Sequence, residues 1–143
     1  MLVKQVSIFV ENKEGKIAEI LEILAGKDIN IKALSLADTT NFGILRLIVN
    51  DPNKAFQILK EHDVIVKIND VVTVGVADEP GGLATILQIL GNNKLQIEYM
   101  YAFIGENDKK AMVVLKTDDI DKSVNVIKEN NVTLIFSDDI NQK

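Results

Sequence analysis

The sequence NKEGKIAEILEIL, at residues 12–24, returns in altered form as DEPGGLATILQIL at residues 78–90. Gly15 and Gly81 hold the same place in the two segments, which sets a shift of 66 residues between the copies. A repeated unit of this length indicates a duplicated domain, because solenoid repeats are shorter and usually number three or more. The sequence therefore predicts two domains, at residues 1–69 and 70–143.

Composition limits the class of protein. The chain has 143 residues, of which 47% are hydrophobic and 26% are charged, as in globular rather than disordered proteins. It contains no cysteine, which excludes disulfides, thiolate metal sites and cysteine nucleophiles and fits a reducing cytoplasm. The first residues do not resemble a signal peptide, and no apolar run reaches membrane-spanning length. We therefore expect a cytoplasmic protein without a membrane partner.

Charge and chemistry-bearing residues exclude further classes. The net charge is −5, and Arg46 is the only arginine, so a nucleic-acid partner is not expected. With His62 as the only histidine and no cysteine, we expect no metal site and no cofactor. No serine can be placed beside His62 from the sequence, and we identify no catalytic residues.

The order of elements within each copy follows from hydrophobic periodicity. Residues 6–10 and 72–76 alternate as strands do, and each is followed by a glycine-containing turn and apolar residues at helical spacing. Gly26 and the cluster at residues 91–93 are predicted to end these helices in a left-handed conformation. The remaining elements are strands at 29–37, 42–49 and 64–68 and a helix at 52–62, with counterparts at 95–104, 110–116, 132–136 and 120–130. In the third strands, Leu45 aligns with Met112 at a shift of 67.

This order predicts an α+β fold of two ferredoxin-like βαββαβ units, packed side by side. Each unit would have an antiparallel sheet with both helices on one face. Apolar residues occur on both faces of the third strands, so something is expected to cover the face that the helices leave open. The other half of the chain or a second chain could do so, and we expect a homo-oligomer.

The glycine loops before the first helix of each copy are the best candidates for function. Asp78 and Pro80 are explained by an ordinary helix start. Two successive glycines, Gly81 and Gly82, weaken a helix start, but they suit a backbone that approaches a ligand closely. Free N–H groups at a helix N-terminus can bind a carboxylate.

A D-x-P-G-type turn and a following Ile-Asn-Ile strand make each copy resemble an ACT domain. The second copy carries Asp78, Pro80 and Gly81 of this pattern, while the first carries Gly15 and the strand Ile29-Asn30-Ile31. The resemblance covers residues 3–137 and implies a stand-alone tandem ACT protein. It further implies a non-catalytic regulatory module that binds a free amino acid at the interface between ACT-like units. An enzyme of amino-acid metabolism is then an expected partner.

The resemblance also implies which residues bind the ligand, because ACT ligands lie against the glycine loop and a facing second strand. The expected contacts are Asn12, Gly15, Lys16 and Ile17 in the first copy, and Asp78, Pro80, Gly81, Gly82, Leu83, Met100 and Tyr101 in the second. The two sites are not expected to be equal, since Lys16 replaces the second glycine and Asn12 replaces an aspartate.

An aromatic stripe in the second copy has two readings. Tyr99, Tyr101 and Phe103 lie on one face of a predicted strand, and core packing is the expected explanation for such a stripe. The matching residues in the first copy are all small, so an asymmetric pocket is the alternative.

Two other functions remain open at this point. One is a protein–protein interaction module without a small ligand. The other is a small enzyme like the acylphosphatases, which need an arginine in a phosphate-binding loop, whereas Arg46 lies in the middle of a predicted strand.

Overall fold

The computed structural model describes residues 1–38, 41–105 and 110–140. The sequence also predicts a polar hairpin between the second and third strands of each copy, at residues 38–41 and 105–108, and these hairpins fall largely outside the described ranges. The strands are β1 (Val3–Glu11), β2 (Ile31–Asp38), β3 (Phe42–Val49), β4 (Ile65–Ala77), β5 (Ile97–Ala102), β6 (Lys110–Thr117) and β7 (Thr133–Ile135). The helices are α1 (Lys16–Ala25), α2 (Pro52–Glu61), α3 (Gly82–Asn92) and α4 (Ile120–Glu129), and a short 3₁₀ helix follows at Ser137–Asp139.

The described residues form two compact units, Lys4–Asp70 and Val71–Ile140, and Met1–Val3 belongs with the second. The boundary falls inside β4, although separate strands at 64–68 and 72–76 were expected. A single strand forms because no glycine or proline interrupts the chain between Ile65 and Val74. The domain bounds 1–69 and 70–143 stay a prediction.

Each unit has the predicted α+β architecture. The strand order is β2-β3-β1-β4 in the first unit and β5-β6-β4-β7 in the second. In the first unit, apolar residues of α1 and α2 pack with one face of the sheet, and in the second unit α3 and α4 do the same. Leu24 and Leu90, which are 66 residues apart, are both fully buried in these two cores. The duplicated ferredoxin-like fold is therefore confirmed.

Strand pairing corrects the alignment of the third strands. Ile8 pairs with Leu45 in the first unit, and Val74, the counterpart of Ile8, pairs with Val113 in the second. Leu45 therefore corresponds to Val113 at a shift of 68, and the alignment with Met112 was wrong. Side chains alternate between faces along a strand, so an error of one residue exchanges the two faces. Strings of similar apolar residues do not reveal such an error.

The first helices end differently from the prediction. Gly26 has a right-handed φ of −65°, whereas the left-handed residues are Asp28 and Lys94, each with φ 61°. The N–H of the following residue, Ile29 or Leu95, donates to a carbonyl of the last helical turn at 3.0 Å. The same backbone bond in both units thus holds a non-glycine residue in the left-handed region.

A buried threonine in the second unit, Thr73, leads to a prediction about stability. Thr73 is fully buried, and its hydroxyl has no hydrogen-bond partner among the described residues. An unsatisfied buried hydroxyl costs free energy that an apolar group of the same shape does not. We expect Thr73→Val to raise the free energy of unfolding by about 1 kcal/mol, measured by urea denaturation.

Thr117 provides the matched control for this prediction. It is also buried, but its hydroxyl bonds Ser123 Oγ at 2.5 Å and donates to Asp119 O at 3.1 Å. Thr117→Val should therefore lower the free energy of unfolding by about 1 to 2 kcal/mol. A loss of stability in both variants would show that the Thr73 hydroxyl has a favourable partner.

Candidate functional site

The two glycine loops adopt the same backbone conformation at the helix start. Gly15 is the N-cap residue of α1 with φ 80°, and Gly81 is that of α3 with φ 84°. Both values lie in the left-handed region, which glycine enters without the cost that a Cβ imposes. Neither helix has a side-chain cap at its N-terminus. The N-terminal backbone groups are thus left without the usual Ser, Thr, Asn or Asp partner.

Backbone donors remain open in the first turn of each helix. The first N–H of each helix returns to its own loop: Lys16 N donates to Lys13 O at 3.3 Å, and Gly82 N donates to Glu79 O at 3.1 Å. The next two N–H groups, of residues 17 and 18 or 83 and 84, make no hydrogen bond within the described residues. Such donors, together with the helix dipole, favour an anionic group.

The structure explains why position 82 is a glycine, which the sequence alone did not. A Cβ on Gly82 would lie 2.2 Å from the carbonyl oxygen of Ala77, which is far inside the contact limit. Close packing of the chain on itself therefore accounts for the second glycine without a ligand. At Gly81 a Cβ would meet nothing within 4 Å, so the positive φ is what favours glycine there. Lys16 carries a side chain at the position of Gly82, so the two loops differ locally.

A cleft of about 350 Å³, which we call the loop cleft, lies beside the glycine loop of the first unit. Its lining comes from the end of β1, the loop, α1 and the paired ends of β2 and β3. Asn12 Nδ2 donates to Asp38 Oδ1 at 2.9 Å within it. Its lining residues are Val10, Glu11, Asn12, Lys13, Ile17, Leu36, Asp38 and Gly43.

Gly43 lines the loop cleft between Leu36 and Asn12. A Cβ on Gly43 would make a tight contact of 3.3 Å with Leu36 Cδ1 and an ordinary contact of 3.5 Å with Asn12 Oδ1. Asp38 is an exposed carboxylate, and Glu11 is paired with Lys13 at 3.1 Å. The loop cleft therefore combines an apolar wall with one carboxylate, Asp38, that forms no ion pair with any described residue.

The structure separates the predicted contacts of the first copy. Asn12 and Ile17 line the loop cleft. Lys16 lines a different cleft and pairs with Glu19 at 3.6 Å, and Gly15 lines neither. The prediction from the loop missed Leu36, Asp38 and Gly43, which come from strands. Of these, only Gly43, a glycine within a strand pattern, carried a recognisable signal.

The predicted contacts of the second copy lie on two elements. Asp78, Pro80 and Gly81 form the turn, and Gly82 and Leu83 begin α3. On β5, Met100 pairs with Leu115, a residue of the core beneath the helices, whereas Tyr101 pairs with Val114 on the opposite face. Met100 and Tyr101 therefore point to opposite faces of the sheet and do not share one surface.

The aromatic stripe is not part of the core beneath the helices, so this expectation was wrong. The Tyr99 and Tyr101 rings stack at 6.4 Å on the face that the helices leave open. A bulge between Ile97 and Tyr99 causes this, because it places Ile97 on the helix side and turns the tyrosines away.

Three further observations concern metal binding, membrane-spanning helices and the position of Arg46. Within residues 1–38, 41–105 and 110–140, no group of three or more His, Asp or Glu side chains is placed to hold a metal ion. No helix in the same ranges is both long and apolar enough to cross a membrane. Arg46 lies in the middle of β3, between Ser7 of β1 and Ser35 of β2, rather than in a glycine loop.

The ACT domain pair family matches residues 1–143, and the chain belongs to this family. The solved structure of protein BT0572 from Bacteroides thetaiotaomicron is similar, with 42% identity, a TM-score of 0.91 and coverage of 100% of this chain and 98% of that one. The ligand-free regulatory subunit of aspartate kinase from Thermus thermophilus shares the fold, with 13% identity, a TM-score of 0.62 and coverage of 90% and 91%.

The regulatory subunit of aspartate kinase from Thermus flavus is similar in the same way, with 15% identity, a TM-score of 0.58 and coverage of 90% and 93%. A search of curated protein sequences finds no match to this chain. The resemblance to paired ACT domains is thus confirmed.

Proposed function

We propose that this protein is a non-catalytic regulatory module that binds a free amino acid. The loop cleft carries the proposal, because it places the exposed carboxylate of Asp38, an apolar wall and the first turn of a helix around one space. These are the groups that a free amino acid needs for its ammonium, its side chain and its carboxylate. Asp38 accepts a hydrogen bond from Asn12 Nδ2 and forms no ion pair with a described residue. Membership of the ACT domain pair family supports the same function.

In the first unit, the ligand ammonium would pair with Asp38 and the ligand carboxylate with the N–H groups of Ile17 and Ala18. The apolar wall of Val10, Ile17 and Leu36 would take the ligand side chain. The volume of about 350 Å³ is at the small end of the range for ligand pockets, which suits a single amino acid.

The second unit offers a related but unequal set of groups. Asp78 stands where the first unit has Asn12, and Ile104 stands where it has Asp38. Each copy therefore keeps one carboxylate across the two positions but carries it on a different element. A second amino acid would pair its ammonium with Asp78 and its carboxylate with the N–H groups of Leu83 and Ala84. We propose that the two sites differ in affinity.

The regulatory role implies partners. An enzyme of amino-acid metabolism is the proposed target, and a homo-oligomer is the proposed assembly. The location of the ligand at an interface between ACT-like units remains a prediction.

A screen of the twenty amino acids by thermal denaturation tests the proposal. A ligand that binds only the folded state adds about 2.7 kcal/mol of stability at a hundredfold excess over its Kd. One or a few amino acids should therefore raise the melting temperature by several degrees. Asp38→Asn should weaken this effect about tenfold or more in ligand concentration, because a charged hydrogen bond contributes about 1.5 to 3 kcal/mol.

This variant isolates the charge, because an asparagine at position 38 still offers an oxygen to Asn12 Nδ2. Lys128→Ala is the control, since Lys128 is exposed in α4 and should leave the ligand effect unchanged. Gly81→Val is not a clean test of the loop, because valine would strain the left-handed backbone at this position. The proposal is wrong if no amino acid at millimolar concentration changes the melting temperature.

A further inference from the structure

The strand residues that line the loop cleft share one face of the sheet. Val10 belongs to the core beneath the helices and pairs with Gly43, which also pairs with Asp38. Leu36 pairs with Leu45, another residue of that core. Because side chains alternate between faces along a strand, Val10, Leu36 and Asp38 all point to the side that α1 covers. The cleft is therefore one continuous surface.

Three apolar side chains form a wall of the loop cleft, namely Val10, Ile17 and Leu36. Val10 is buried and Leu36 is 53% exposed, so the wall extends from the core to the solvent. Ile17 packs on the core of the first unit from α1. None of the three carries a polar side-chain atom. A polar ligand side chain placed there would lose its water without gaining a hydrogen bond.

The polar side chains at the loop cleft leave this wall apolar. Asn12 Nδ2 donates to Asp38 Oδ1 at 2.9 Å, and Lys13 pairs with Glu11 at 3.1 Å. Glu11 directly follows Val10 in β1, so its side chain points to the opposite face of the sheet. Asp38 is the carboxylate that we assign to the ligand ammonium. A charge on the ligand side chain would therefore have no partner at the wall.

The second unit differs at two positions of this surface. Strand pairing places Ala102 in β5 where β2 has Leu36, and Ala111 in β6 where β3 has Gly43. The wall is thus shortened in the second unit, and a methyl group stands where the first unit has only hydrogen. The side-chain space of the loop cleft is therefore particular to the first unit.

We infer that the loop cleft selects an amino acid with an aliphatic side chain over one with a polar or charged side chain. The inference rests on the amino-acid site proposed above and names the class of ligand that this site takes. The ligand side chain contacts Val10, Ile17 and Leu36, and its end lies beside Gly43.

Pairs of amino acids with similar shape and different polarity test this inference. Valine and threonine, leucine and asparagine, and alanine would each be titrated into the whole protein, with the backbone amides of residues 17, 18, 36–38 and 43 followed by NMR. Valine should bind about tenfold more tightly than threonine, and leucine about tenfold more tightly than asparagine, because the wall offers no hydrogen bond. Alanine should bind about fivefold more weakly than valine, since each methylene removed from water contributes about fourfold.

The outcomes separate this inference from the proposed function. If threonine binds as tightly as valine and asparagine as tightly as leucine, the selectivity for aliphatic side chains is wrong, although the amino-acid site stands. If none of the twenty amino acids shifts these amides, the proposed site itself is wrong and the inference fails with it.

Variants locate the side-chain contact. Leu36→Ala should weaken the binding of leucine about fivefold and change the binding of free alanine little, because it shortens the wall. Gly43→Ala should fold, since Ala111 occupies the equivalent position, and its methyl group should weaken the binding of leucine about fivefold by crowding.

Leu34→Ala is the matched control for the wall. Leu34 is 40% exposed and lies on the same face of β2 as Leu36, but it does not line the loop cleft. This variant should leave every affinity unchanged. Equal losses of leucine binding in Leu34→Ala and Leu36→Ala would overturn the inference.

Discussion

Gly82→Ala is expected to lower the free energy of unfolding by about 3 kcal/mol, the upper end of the cost of overpacking. Its Cβ would lie 2.2 Å from Ala77 O and 3.3 Å from Val76 Cγ1. The closest atom belongs to the backbone of β4 and cannot rotate away as a side chain would. The end of β4 and the start of α3 would have to separate. Urea denaturation followed by circular dichroism measures the change.

Gly91→Ala is the matched control, because Gly91 lies in the same helix and a Cβ there would meet nothing within 4 Å. Alanine lowers the conformational freedom of the unfolded chain and suits a helix, so this variant should gain about 0.5 to 1 kcal/mol. The two glycine-to-alanine changes should therefore have opposite signs. A Gly82→Ala protein as stable as the parent would show that the loop moves readily, which would return the second glycine to a ligand-binding role.

Leu24→Ala and Leu90→Ala should each cost about 2 to 5 kcal/mol, because each removes a fully buried side chain and leaves a cavity. The two leucines occupy the same position in α1 and α3 and lie in the two separate cores. The losses should consequently be similar in size. Thermal and urea denaturation measure both.

Leu36→Ala is the control for the cavity variants, since Leu36 is 53% exposed at the loop cleft and should cost much less. A small effect at Leu90 beside a large effect at Leu24 would contradict the view that the two cores are equivalent. Leu36→Ala would also remove part of the apolar wall that we propose for the amino acid, so it should weaken ligand protection while sparing the fold.

The loops that frame the proposed amino-acid site could be found from the sequence, but the cleft could not. Each loop is one continuous segment of the chain, around Gly15 or Gly81, so its turn can be identified from local residues alone. Asp38 is 26 residues from Asn12, and only the pairing of β2 with β3 brings its carboxylate to the loop. A sequence pattern does not predict such a contact, because it depends on strand register.

Strand register and backbone contacts also explain where the sequence-based predictions were wrong. The third strands were misaligned by one residue because apolar side chains on both faces hide the period of two. The tyrosines were assigned to the core because a bulge in β5 leaves no recognisable residue pattern. The reason for Gly82 lies in the oxygen of Ala77, and a main-chain atom five residues away has no sequence signature.

The sequence by itself determined the duplication, the βαββαβ order, the α+β class and the glycine-containing turn before each first helix. These features arise from local periodicity and from conformations that single residues favour. Tertiary structure alone decided which face the tyrosines occupy, which strand residues join Asn12, and on which cleft Lys16 lies. Those outcomes depend on the register between strands and on close approaches between distant parts of the backbone, which no local pattern encodes.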